Sequence, residues 1–229
     1  RYADFATTGD LDPRTSRQSA FGRASYELSD AFEIYAQGSY SRATSSIALL
    51  NQWNFGSIAI QPDNAFIPAS IADGVTAPFN LGTFNADLGP VIARTKSSSL
   101  RGVIGAKGMF GALGTEWDWD VYGQKTINHI YTGALTTITT RFNQAIDAVR
   151  NANGVIVCRS TLTNPTNGCV PYNVFGVGVN GQNVRDYVLG TSFARTKLTQ
   201  EVYAGTLRGD PFRTWAGPVS VALGVEHRR

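Results

Sequence analysis

The chain has 229 residues, of which 42% are hydrophobic, 16% charged and 11% aromatic, with 24 glycines and a net charge of +3. Soluble domains usually carry about a quarter charged residues, so this Gly-rich, aromatic-rich balance argues for an all-β protein over a helical one. The scattered basic residues exclude a nucleic-acid-binding stripe. No apolar run approaches the ~18 residues of a transmembrane helix, whereas a transmembrane strand needs only about 10 residues with every second one apolar.

Arg1 to Asp4 match neither a start nor a leader, and Val225 to Arg229 end inside an alternating run. The expectation is therefore a piece of a longer polypeptide. Residues 19–28 alternate: Ala20, Gly22, Ala24, Tyr26 and Leu28 on one face, Phe21, Arg23 and Glu27 on the other. After a tight turn at 29–31 the pattern repeats, with Phe32, Ile34, Ala36, Gly38 and Tyr40 against Glu33, Tyr35 and Gln37. Such period-2 alternation predicts a β-hairpin with one apolar and one polar face.

About fifty irregular residues follow. A second hairpin then runs through Leu100, Gly102, Ile104, Ala106, Gly108 and Phe110, turns at 111–116, and returns through Trp117, Trp119, Val121 and Gly123. Arg101, Lys107, Asp118 and Asp120 lie on the polar side. After a second long stretch, a third hairpin descends through Leu198, Val202 and Ala204. It turns within 208–218 and rises through Val219, Val221, Leu223 and Val225, with Glu226 and Arg228 opposite.

Strand, short turn, strand, long loop thus recurs three times. Membrane barrels sort their connections this way, with short periplasmic turns and long extracellular loops. Tyr26, Phe32, Tyr40, Phe110, Trp117 and Trp119 fall near the strand ends, as an interfacial aromatic girdle would. The predicted fold class is all-β: an antiparallel transmembrane β-barrel segment of about six strands in three hairpins, with extracellular loops at about 43–95 and 133–192. Six strands cannot close a wide channel, and an open lipid-facing edge is not tolerated, so the segment requires further strands.

Candidate sites lie in the long loops. Trp53, Phe55, Asp63, Asn64 and Phe66 combine aromatic and polar groups suited to a small-molecule ligand, although packing of the loop on itself explains them as well. Phe79 and Phe84 belong to the same reading. Phe142, Ala145, Ile146 and Val149 sit at i, i+3, i+4 and i+7, predicting a short amphipathic helix capped by Thr139 or Thr140; loop packing is favoured over a gating role. Cys158 and Cys169, in a stretch rich in Asn, Thr, Gly and Pro, suggest one disulfide and an oxidising compartment, with two free thiols as the alternative. Gly176 to Gly181 formally match GxGxxG but lack a strand–helix setting and read as a flexible loop. Asp118 and Asp120 could suggest paired acid–base carboxylates, yet a salt bridge to an arginine of a plug or neighbouring strand is favoured. His129 and His227 join no catalytic or metal set. No catalytic residue, cofactor or metal is expected, and the chain is not expected to be an enzyme.

Three segments carry a family resemblance: Ile60-Gln61-Pro62-Asp63-Asn64-Ala65-Phe66-Ile67-Pro68; the stretch from Arg141 through Cys158 to Cys169-Val170-Pro171-Tyr172-Asn173; and Pro211-Phe212-Arg213-Thr214-Trp215-Ala216-Gly217-Pro218-Val219. Together they resemble TonB-dependent receptors of the sphingomonad and caulobacter type. The resemblance implies a middle portion of a larger, roughly 22-stranded plugged barrel in the cell outer membrane. It also implies energy-coupled uptake of a scarce nutrient such as a siderophore, vitamin or oligosaccharide. The implied partners are outer-membrane lipid, the rest of the barrel with its plug, a small-molecule ligand and, through parts not in these residues, the TonB complex; no nucleic acid is implied. No plug domain or TonB box is recognised in the sequence. A passive porin or surface-displaying barrel is the alternative.

Overall fold

The computed structural model describes residues 9–229; the reading of Arg1 to Asp4 lies outside them. The chain divides into two compact units. A strand unit comprises Thr15–Ser45, Thr95–Tyr131 and Ala194–Arg229, and a loop unit includes Ser46–Arg94 and Thr132–Phe193.

Six strands form the principal sheet, which is mostly antiparallel. In spatial order they are β1 (Arg14–Ser29), β2 (Phe32–Asn51), β5 (Pro90–Ala112), β6 (Thr115–Thr137), β9 (Leu189–Thr214) and β10 (Gly217–Arg228). The strands are longer than the alternation alone indicated. β2, β5, β6 and β9 continue into the stretches read as loops, so the long connections shorten to 52–89 and 138–188. β1 and β10 are the two sheet edges.

Each hairpin turns in two residues. At Leu113 and Gly114 both φ angles are positive, 53° and 76°, as a type I′ turn requires to match the strand twist. The third turn is not the broad segment 208–218. β9 runs on to Thr214, and the chain reverses at Trp215 and Ala216. Val219 pairs with Phe212 but Val221 with Gly209, so β9 carries an extra residue there. Pro211, which has no N–H to donate, sits in that bulge. The bulge also corrects the face of β9. Val202 and Ala204 lie opposite Arg228 and Glu226, on the polar side. Tyr203, Gly205 and Leu207 oppose His227, Val225 and Leu223 on the apolar side.

The two faces differ in an unusual sense. Ile34, Ile104, Val121, Tyr203 and Val225 form one shallow apolar surface, and all are exposed, Ile104 at 71%. Of the buried side chains in this unit, Tyr35, Val103 and Val202 lie on the polar-bearing face, and Trp117, beside the turn, is buried on the apolar face. Glycines on both faces admit large neighbours. A Cβ on Gly209 would stand 2.7 Å from the Trp117 ring, and one on Gly108 would stand 3.0 Å from that of Trp119. Gly105 makes room for Tyr35 in the same way. Glycine paired with a cross-strand aromatic restores the contact that the missing side chain forfeits. Trp117 is thereby 8% exposed and donates its indole N–H to the Ala112 carbonyl at 3.1 Å. Trp119 lies 5.7 Å from Phe32.

The loop unit has its own fold. From the first connection come β3 (Trp53–Ile60), α1 (Ala69–Ala72), β4 (Phe79–Phe84) and a 3-10 turn at Ala86–Leu88. From the second come α2 (Thr139–Ile146), β7 (Ala148–Arg150), β8 (Ile156–Cys158), α3 (Arg159–Thr163) and α4 (Gln182–Val188). β3 pairs with β4, and β7 with β8. One apolar cluster joins Ile58, Ile60 and Leu88 of the first connection to Phe142, Ala145, Ile146, Tyr172, Val174, Val184 and Val188 of the second. Segments read as separate irregular loops are halves of one core, because neither has enough apolar surface to fold alone.

Candidate functional site

The loop unit holds most of the residues singled out from sequence, and it assigns them different tasks. Phe142, Ala145 and Ile146 of α2 point into the core, as the helical spacing implied. Val149 is also buried but belongs to β7. Thr139 and Thr140 lie inside the helix; its N-cap is Ile138, and no side chain caps it.

The disulfide is formed. Cys158 and Cys169 are joined, with Cα atoms 6.1 Å apart and Cys158 fully buried. α3 begins at the next residue, Arg159, whose guanidinium spans the two connections. Its Nη atoms donate to both oxygens of Asp63 at 2.8 and 2.6 Å, and its Nε donates to Asp147 at 3.0 Å. The Arg159 donors hold the Asp63 carboxyl below the ordinary aspartate value of 3.8, and the two carboxylates raise the Arg159 value.

Asn64 is buried. Its amide donates to the Ile146 carbonyl at 2.7 Å, and its Oδ1 accepts from the Phe66 N–H at 3.0 Å. The next residue, Ala65, donates its N–H to the Ala148 carbonyl. Asp63 and Asn64 are therefore clamps between the connections, and Phe66 is half-buried beside them. Tyr172 adds a third clamp, donating its hydroxyl to Asn85 Oδ1 at 3.0 Å. Phe79 is half-buried against the core.

Trp53 and Phe55 behave differently. Both are exposed, with ring centroids 4.2 Å apart. Trp53 pairs across the hairpin with Phe84. The break in register between Asn54 and Ile58 coincides with Gly56 at φ 63°, and Gly82 lies against the Gly56 backbone, where a Cβ would stand 2.9 Å from its nitrogen. The bulge leaves two adjacent aromatic rings outside the core, a surface that can stack against a planar or sugar-like ligand.

Gly176 to Gly181 are not an unstructured loop. The N–H groups of Gly178, Val179 and Asn180 converge on the Asp87 carboxylate at 2.6, 3.1 and 2.9 Å, and the Asn180 amide adds a fourth donor at 2.8 Å. Burial opposes ionisation of Asp87, but these donors outweigh it and keep the carboxyl below 3.8. A helix, α4, does open after the motif, contrary to expectation. No strand precedes it, and the anion-binding concavity is filled by the protein's own carboxylate. This role depended on Asp87, some ninety positions away, and had no local signal.

On the polar face of the strand unit, Tyr35 donates its hydroxyl to Asp120 at 3.0 Å while the Arg23 guanidinium lies 4.8 Å above the Tyr35 ring. Glu33 is paired with Lys107 at 3.0 Å and with Arg23 at 3.6 Å. Asp120 thus finds a tyrosine rather than an arginine, and Asp118 is exposed. Among the described residues no cluster of three or more His, Cys, Asp or Glu side chains could hold a metal ion. Comparison with protein-family models, curated proteins and solved structures finds no match for the chain.

Proposed function

We propose that this chain forms part of the wall and ligand-facing loops of an outer-membrane transporter barrel of the TonB-dependent type, and that it takes no part in catalysis. One observation carries the reading: the sheet exposes most of its apolar face, Trp117 excepted, while Tyr35, Val103 and Val202 are shielded on the polar-bearing face. A soluble sheet does the reverse, because exposed apolar area costs about 25 cal/mol per Å² in water. A sheet whose solvent is lipid needs that inversion. The alternation of two-residue turns with long connections supports the same reading, as do the girdle-like aromatics Trp117, Trp119 and Phe32.

The unpaired edges β1 and β10 require further strands of the same barrel. In this reading the loop unit is extracellular, its disulfide stiffens it, and the Trp53–Phe55 pair meets the incoming nutrient. The resemblance to TonB-dependent receptors supplies the energy-coupled character of transport and the TonB complex as partner.

The deciding experiment is fractionation of the full natural protein, followed by an uptake assay with and without a functional TonB complex. Recovery in the outer membrane and loss of uptake without the complex are the expected results. A protein that stays monodisperse without detergent defeats the membrane reading. Outer-membrane recovery with unchanged uptake would make it a passive barrel.

A further inference from the structure

The apolar face of the strand unit does not stay apolar along its length. Beyond Val121, Gly123 and Tyr203 comes an ionic row, in which Glu201 accepts from Lys125 and Arg229, both at 2.8 Å. That glutamate is thus already neutralised by two cations. About 13 Å further along the strands, at a rise of ~3.3 Å per residue, a groove opens between β2, β5, β6 and β9. It encloses about 450 Å³ and is lined by Tyr40, Arg42, Lys96, His129, Tyr131 and Lys197. Arg195 stands beside them.

No acidic side chain among the described residues lines the groove. Among the described residues, no ion pair engages Arg42, Lys96 or Lys197. All three are exposed, as is His129. Arg42 on β2, Lys96 on β5 and Lys197 on β9 repel one another, and among the described residues no ion pair relieves these three. The alternate positions of β2, from Ile34 through Ala36, Gly38 and Tyr40 to Arg42, lead along one face from the apolar surface into this groove.

We propose that this groove binds the phosphate of an anionic lipid headgroup, whose acyl chains lie along the adjoining apolar face. The inference rests on the membrane reading above. Charge complementarity selects an anion, and continuity with the apolar face selects one carrying hydrocarbon over a free ion. Arg42 offers a planar fork to phosphate oxygens, Lys96 and Lys197 offer compact charges, and Tyr40 and Tyr131 offer ring surface and a hydroxyl at the boundary.

The test uses the full natural protein in detergent, with bound lipid counted by native mass spectrometry. The probes are phosphatidylglycerol, phosphatidylcholine of the same acyl chains, and inorganic phosphate. Phosphatidylglycerol should be retained at least tenfold better than phosphatidylcholine, and millimolar phosphate should not displace it. Removing two cations in K96Q/K197Q should weaken retention about 25-fold, at roughly fivefold per basic group near a membrane surface. K96R/K197R, which keeps the charges, should restore it and so separates lost binding from a misassembled barrel. Equal retention of the two lipids would overturn the proposal, as would unchanged retention in K96Q/K197Q or failure of K96R/K197R to restore it. Displacement by inorganic phosphate would reassign the groove to a free anion and equally overturn the lipid assignment. A protein found soluble in fractionation fails the membrane reading, whereas an outer-membrane protein that passes fractionation and shows no lipid preference fails this inference alone.

Discussion

Single side chains decide whether the two long connections are one body or two. Asn64 shows this most directly, because its amide is buried and satisfied from both connections. Asn64→Ala should destabilise the loop unit by about 1–3 kcal/mol, since the buried Ile146 carbonyl and the part-buried Phe66 N–H lose their partner. Thermal or denaturant unfolding of the folded protein would measure it; an effect below a few tenths would mean that the clamp is redundant. Asp63 and Asp87 carry the acid response. Both carboxyls sit below 3.8 in the folded chain, so their contribution is complete above about pH 4 and is lost as pH falls through their folded values. Pepsin should therefore cut the 138–188 connection increasingly as pH drops from 4 to 2. Asp87→Asn, which leaves the three N–H donors facing a neutral acceptor, should remove part of that pH dependence. Trp53→Ala and Phe55→Ala should weaken ligand binding with little loss of stability, because both rings are exposed.

At the scale of elements, the apolar face and the disulfide can each be challenged. Arg at Ile104 should cost about 2–4 kcal/mol of assembly in lipid, whereas Arg at Gln37, on the polar face, should be mild. Heat-modifiable migration on gels after refolding into bilayers reads this difference, and equal tolerance would refute the face assignment. Reduction of Cys158–Cys169 should lower loop-unit stability by at most about 2–3 kcal/mol, because a sequence separation of 11 closes only a short loop. The Arg159 clamp begins at the residue after Cys158, so reduction should also loosen the hold on Asp63. Mobility at the 61–67 segment by hydrogen exchange would report it. Strand lengths illustrate how element and residue interact: β9 continues through Pro211 because a bulge absorbs the missing donor.

For the whole molecule, local pattern and long-range packing contributed different parts of the answer. Period-2 alternation placed the three hairpins, the short turns within 29–31 and 111–116, and the apolar face at Ile34, Ile104, Val121 and Val225; the structure narrows both turns to two residues. These follow from neighbouring residues, since a strand's side chains must point to alternate faces wherever the strand goes. Helical spacing identified the buried face of α2, and cysteine count and setting identified the disulfide. What the sequence could not reveal shares one physical character: it required partners far away in the chain. The face of β9 depended on a bulge whose position is set by pairing with β10. The role of Asp63 depended on Arg159, the anion held by Gly178 to Asn180 proved to be Asp87, and the core of the loop unit is half supplied by each connection. By itself the sequence determined the three hairpins, the first two short turns and the faces of the strands other than β9, because those are local stereochemistry. Only the tertiary structure decided which residues clamp, which aromatics stay exposed and which cations converge, because those are distances between segments that sequence separation does not encode.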